Sequence, residues 1–180
     1  GSEMCIRDRK DLVGRLSHKI ILESNFVTVS GPSGSGKSSV VKAGLVAELR
    51  RGERARDFDK NTEIVVFRPG ARPIENLISA LIEKKILLNK EECISELRGK
   101  IYESDNYYFK NLRQIVAESS GENSIKNSLI LIVDQFEEVF TMCKEEKERK
   151  LFFDCLLTAN QDLDGKEIFS INTFKILITI

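Results

Sequence analysis

The chain alternates between short apolar runs and longer amphipathic stretches, and the two repeats separate well. Phe26-Val27-Thr28-Val29 is β-branched and aromatic, and predicts a strand over 26–30. Ile64-Val65-Val66-Phe67 predicts a second strand, closed by Arg68-Pro69-Gly70. Leu129-Ile130-Leu131-Ile132-Val133 is apolar at every position, as in a strand whose sheet is covered on both faces. A further apolar strand spans 174–180. Between these runs the period becomes helical. Leu12 to Leu22 predicts a short helix, and Val41, Leu45 and Leu49 another as far as Arg51, with Gly52 as its stop. Ile74, Leu77, Ile78 and Leu81 share one face of a helix from about Pro73 to Lys85. Ile94, Leu97 and Ile101 form one later stripe, and Phe109, Leu112 and Val116 another. Gly121 to Asn127 is a polar loop, and Leu151 to Leu163 a helix with Phe152, Cys155, Leu156 and Ala159 inward. Strands alternating with helices imply an α/β domain with a mainly parallel sheet.

One stretch packs nothing. Gly31, Pro32, Ser33, Gly34, Ser35 and Gly36 follow a good strand yet offer almost no apolar surface. With Lys37 and Ser38 they meet the pattern G-x-x-x-x-G-K-[ST], the phosphate-binding loop of nucleoside triphosphatases. Glycines allow successive N–H groups to converge on one anion, and the helix beginning near Lys37 adds its positive end. Lys37 is placed to reach the β- and γ-phosphates, Ser38 to ligate Mg²⁺, and Ser39 to act as a further phosphate donor. A Gly/Ser-rich surface turn with a solvated lysine is the bland alternative. The strand before and the helix after weigh against it, so Mg²⁺ with ATP, or with GTP, is the expected ligand.

The apolar strand at 129–133 runs into Asp134-Gln135-Phe136-Glu137-Glu138. An aspartate there lies at the carboxyl edge of the sheet and can hold Mg²⁺ through its waters. Glu137 and Glu138 compete for the task of orienting an attacking water. Alternatively, the carboxylates simply open the next helix at its positive end. Arg68 also follows a strand at that edge, where a structural salt bridge is favoured over a nucleotide or partner contact.

Composition narrows the field further. Basic and acidic residues number 28 each in a chain of 180, so no net positive field points to nucleic acid or an anionic membrane. No apolar run approaches the roughly 20 residues of a membrane span. Cys5, Cys93, Cys143 and Cys155 lie far apart and only His18 could join them, which suits buried or incidental thiols in a reducing, cytoplasmic setting. His18 reads as a helix-surface residue. Arg50, Arg51, Arg54 and Arg56 are interleaved with acids, and Lys144 to Lys150 mixes signs as an exposed helical face would. Residues 1–11 read as a flank that is non-native or disordered, leaving 12–180 as one domain.

The segments GPSGSGKSSVVKAGLVAELR, VVFRPGARPIENLISAL and LILIVDQFEEVFTMC resemble the novel STAND NTPases, the signal transduction ATPases with numerous domains. The resemblance runs from about Leu12 to the end and is most specific at VDQFEE. It implies a P-loop α/β/α sandwich of three layers, with the strand at 174–180 between those at 26–30 and 129–133. It also implies a nucleotide-dependent signalling switch that self-associates, with effector and sensor domains outside this chain. Val13-Gly14-Arg15 is a candidate for the family's base-contacting glycine-arginine motif, although closer to the loop than expected. The sensor arginine, last strand and helical lid of the family have no counterpart, so the chain is read as incomplete at its C-terminus. An ABC-type ATPase is disfavoured because Asp134 is followed by Gln135 and no LSGGQ-like signature occurs. A guanylate-kinase-like phosphotransferase lacks its monophosphate site, and a binding module without hydrolysis stays open.

Overall fold

A computed structural model describes residues 2–51, 62–99, 112–119, 128–159 and 174–180. Four strands, β1 (Phe26–Val29), β2 (Glu63–Phe67), β3 (Leu129–Val133) and β4 (Phe174–Thr179), form a parallel sheet in the order β1-β4-β3-β2. The last strand of the chain is therefore central, in the slot that the resemblance implies. Register aligns Val29 with Thr179, Ile178 with Val133, and Val133 with Phe67. Every strand thus ends at the same edge, and the segments leaving β1, β2 and β3 emerge there together.

Alternation along the strands divides the interior in two. Val65, Phe67, Leu129, Leu131, Val133, Ile176 and Ile178 face one apolar cluster, while Val27, Ile64, Ile130, Ile132 and Leu177 face the other. β3 is buried at all positions because both faces are covered, which explains its lack of polar alternation. The first cluster is closed by α4 (Pro73–Glu83), α5 (Lys90–Gly99), α6 (Leu112–Ser119), α7 (Glu138–Thr141) and α8 (Glu146–Thr158). The second is closed by α1 (Ser2–His18) and by the helical run that follows the glycine-rich loop, namely α2 (Lys37–Ser39), a π-helical stretch Val40–Leu45, and α3 (Val46–Arg51). Helix, sheet and helix make the expected three layers.

Several boundaries differ from the sequence reading. The first helix begins at Ser2 rather than near Leu12, because its first turns are polar and carry no apolar stripe to announce them. Its final turns widen into a π-helical stretch, Lys19–Glu23. The buried Lys175 of β4 donates to the Ile21 carbonyl at 3.1 Å, and burial lowers its pKa. A lysine in an apolar strand thus satisfies a carbonyl near a helix end. α8 starts five residues before Leu151, and Glu148 within the mixed-charge run is buried rather than exposed. Its inward face carries Phe152, Cys155, Leu156 and Ala159, as the periodicity predicts. His18 is exposed and meets Glu23 at 3.0 Å, and Cys93, Cys143 and Cys155 are buried thiols. Gly52, Arg54, Arg56, Ile101, Phe109, the loop 121–127 and the predicted end of the last helix at Leu163 lie outside the described residues.

α1 crosses the π-helical stretch at very short range. A Cβ built on Gly44 would lie 2.5 Å from Cγ2 of Val13, so only glycine lets the two backbones approach this closely. Gly44→Ala should therefore destabilise the domain by about 1–3 kcal/mol, the usual cost of overpacking. In urea titrations, Val13→Ala should recover a large part of that loss, giving a coupling energy of about 1 kcal/mol or more. Strictly additive effects would show that the contact does not limit the packing.

Candidate functional site

The loop after β1 is shaped by local chemistry. Ser35 donates its N–H to the Pro32 carbonyl at 3.2 Å, closing a turn. Gly34 and Gly36 have φ of 77° and 84°, a region that side chains with a Cβ avoid. Gly36 is the N-cap of α2, and its carbonyl accepts the Val40 N–H at 2.9 Å. Lys37 folds back over the loop, its Nζ donating to the carbonyls of Gly31 at 2.5 Å and Pro32 at 2.8 Å. Gly31, Pro32, Ser33, Gly34, Ser35 and Ser39 are exposed, while Gly36, Lys37 and Ser38 are half-buried.

Ser38 leads across to the strand edge. Its hydroxyl donates to Oδ1 of Asp134 at 2.7 Å, although the two residues are far apart in sequence. The hydroxyl of Thr179, at the end of β4, donates to the same Oδ1 at 2.9 Å. Oδ2 faces two cations, Lys42 Nζ at 2.6 Å and Arg68 Nε at 3.4 Å. Asp134 itself is 1% exposed. Burial pushes its carboxyl up, but the hydrogen bonds from Lys42, Ser38 and Thr179, with the Lys42 charge, bring it down to about 2. It is thus held as an anion.

The turn after Asp134 is held from the other side. Gln135 has φ of 55°, unusual for a residue with a Cβ. Its N–H donates to the Thr179 hydroxyl at 2.9 Å, and the next N–H, of Phe136, donates to the Thr179 carbonyl at 2.8 Å. Phe136 is buried with its ring centroid 6.1 Å from Phe152 and 5.7 Å from Phe153. Beyond it, Glu138 accepts the Gly70 N–H on Oε2 at 3.1 Å, tying α7 to the Arg68-Pro69-Gly70 turn. Glu137 is exposed and precedes α7 as its N-cap.

Of the residues singled out from sequence, the glycine-rich loop, Lys37, Ser38 and Asp134 are drawn to one edge, with Ser38 and Asp134 in contact. Glu138 is engaged with the Gly70 turn. For Arg68 the structure gives the salt bridge, to Asp134. Lys42 and Thr179 were missed. Lys42 stands one helical turn after Ser38 on the same face, a spacing legible in the sequence. Thr179 needs the strand order and register, which only folding supplies.

The family model for Novel STAND NTPase 1 matches residues 7–180. The chain belongs to the novel STAND NTPase 1 family. No curated protein matches it. The four-stranded parallel sheet with helices on both faces is the α/β architecture of a P-loop NTPase, in keeping with a STAND NTPase module. Among the described residues no helix is long and apolar enough to cross a membrane, and no cluster of three or more His, Cys, Asp or Glu could hold a metal ion. The donors beside one another in this STAND module are instead a hydroxyl and a carboxylate. The Ser38 hydroxyl and the Asp134 carboxylate are hard oxygen donors, a chemistry that could take a hard divalent cation.

Because its folded pKa lies below the unfolded 3.8, Asp134 stabilises the fold above about pH 4. That contribution should fade as pH falls from about 4 to about 2. Denaturant titrations without divalent ions should show the wild type losing about 2 kcal/mol more than Asp134→Asn across this window. Equal losses in the two proteins would show that the carboxylate is not held as an anion.

Proposed function

We propose that this module binds a nucleoside triphosphate with Mg²⁺, hydrolyses it slowly, and uses the bound nucleotide as a conformational switch. ATP is the favoured nucleotide and GTP the alternative. The observation that carries the reading is the 2.7 Å contact between Ser38 and Asp134, which joins the glycine-rich loop to the end of β3. Ser38 would ligate the metal directly, and Asp134 would fix the Ser38 hydroxyl and the metal's waters. A divalent cation held by these residues would supply positive charge to offset that of the phosphates.

Lys37 rests on carbonyls of its own loop and would exchange them for the β- and γ-phosphate oxygens. Gly31, Pro32, Ser33, Gly34, Ser35 and Gly36 would supply the backbone around the phosphates, with Ser39 as a further donor. Glu137 and Glu138 are the candidates to orient water. Glu138 must first release Gly70 or work through its other oxygen, since Oε2 is engaged. That contact also favours a second reading, nucleotide binding without turnover. A switch role is supported by the partners of Asp134, which come from the loop helix, β4 and the β2 edge. Self-association, coupling to effector and sensor domains, and a cytoplasmic setting belong to the same proposal.

Saturating Mg-ATP should raise the melting temperature by several degrees, since ligand at 100 times Kd adds about 2.7 kcal/mol. Lys37→Ala should melt near the parent without ligand but lose the ligand-induced shift. A parent with no shift for ATP or GTP at millimolar concentration would end the nucleotide reading.

Turnover is tested separately by phosphate release. Asp134→Asn should weaken Mg²⁺-dependent binding, whereas Glu138→Gln or Glu137→Gln should bind normally and release phosphate more slowly. Nucleotide binding with no phosphate release by the parent would favour the second reading.

A further inference from the structure

Asp134 carries one negative charge and faces two cations. Its Oδ1 receives the Ser38 and Thr179 hydroxyls, and its Oδ2 receives Lys42 at 2.6 Å. The buried carboxylate is therefore well partnered without Arg68. Arg68 meets the same Oδ2 at 3.4 Å through Nε alone, near the outer limit of a hydrogen bond. Its side chain is 52% exposed, and its two terminal nitrogens bond to no described residue.

The backbone around Arg68 is fixed, in contrast. The preceding carbonyl, of Phe67, accepts the Asp134 N–H at 2.9 Å. The carbonyls of Arg68 and Pro69 accept from Asn76 Nδ2 at 3.4 and 2.9 Å, and the Gly70 N–H is held by Glu138. An arginine anchored at its base and open at its tip is suited to a ligand arriving at that tip. A planar guanidinium can offer two parallel donors to two oxygens of one phosphate, which an ammonium cannot.

Charge narrows the class of ligand. Lys42 and Arg68 both face the single charge of Asp134, Lys37 stands on the adjoining loop, and Glu138 is bound to a backbone N–H, which leaves a surplus of positive charge among these described residues. A triphosphate brings one more negative charge to this surplus than a diphosphate does. Lys37 belongs to the loop, whereas Arg68 approaches Asp134 on the carboxylate oxygen that Ser38 does not use. A phosphate chain that starts at the loop and extends toward that oxygen would meet Arg68 there.

We propose that Arg68 contacts the terminal phosphate of a bound nucleoside triphosphate and sets the preference for triphosphate over diphosphate. The inference rests on the nucleotide reading above. Lys42 keeps the buried carboxylate paired, so loss of Arg68 removes discrimination without dismantling the site.

Calorimetric titration of parent, Arg68→Gln and Arg68→Lys with the magnesium complexes of ADP and of its imido-linked triphosphate analogue tests this, with guanine counterparts in parallel. Arg68→Gln should bind the triphosphate analogue roughly 10–100-fold more weakly, as expected for loss of a charged hydrogen-bonding group, and ADP within about twofold of the parent. Arg68→Lys should fall between, since it keeps the charge and loses the fork, and it reads the same ratio if Arg68→Gln folds poorly. Equal weakening toward both nucleotides, or an unchanged ratio in either variant, overturns the assignment. A parent that binds none of the four nucleotides removes the nucleotide reading itself, and this one with it.

Discussion

A carboxylate withdrawn from water must be compensated where it lies, and Asp134 is 1% exposed. Its compensation is drawn from several parts of the chain. Ser38 and Lys42 come from the helical run after the loop, Thr179 from the end of β4, and Arg68 from the end of β2. The carboxyl edge of the sheet is thereby one electrostatic unit. Any new charge at the loop is felt by elements that are distant in sequence, because they share one anion. In the low dielectric of a buried site such coupling is stronger than it would be at the surface.

The sheet order makes this arrangement possible. Placing β4 between β1 and β3 sets Thr179 beside the turn that leaves β3. Thr179 then acts in several directions. Its hydroxyl donates to Asp134 and accepts from the Gln135 N–H, while its carbonyl accepts from Phe136. Those bonds hold the turn in which Gln135 takes its left-handed conformation. Phe136 secures the same turn from below by packing among Phe152 and Phe153. Apolar burial and backbone hydrogen bonding fix the position of Asp134 together.

The Gly70–Glu138 contact adds a second link across the edge. It joins the turn after β2 to the start of α7, alongside the Arg68–Asp134 pair. The two links run between the same turns, so displacement of one turn disturbs both. Under the proposed function, a ligand that draws on Arg68 or Glu138 would reach the other through this shared backbone.

Much of the architecture follows from the sequence because the relevant signals are local. The apolar run Leu129 to Val133 specifies a strand covered on both faces, and Ile74, Leu77, Ile78 and Leu81 specify the buried stripe of α4. The spacing of Gly31, Gly36, Lys37 and Ser38 marks the loop, since backbone conformation and neighbouring side chains depend on near positions in the chain. The polar first turns of α1 carried no such stripe, and Glu148 was hidden within a run of alternating charge. What folding alone decided are the pairings between distant elements. Residue spacing reports which face of a helix a lysine occupies, but not which carboxylate lies across from it. Lys42 and Thr179 acquire their roles only when parallel register brings β3 and β4 to a common end and packing lays the loop helix against them.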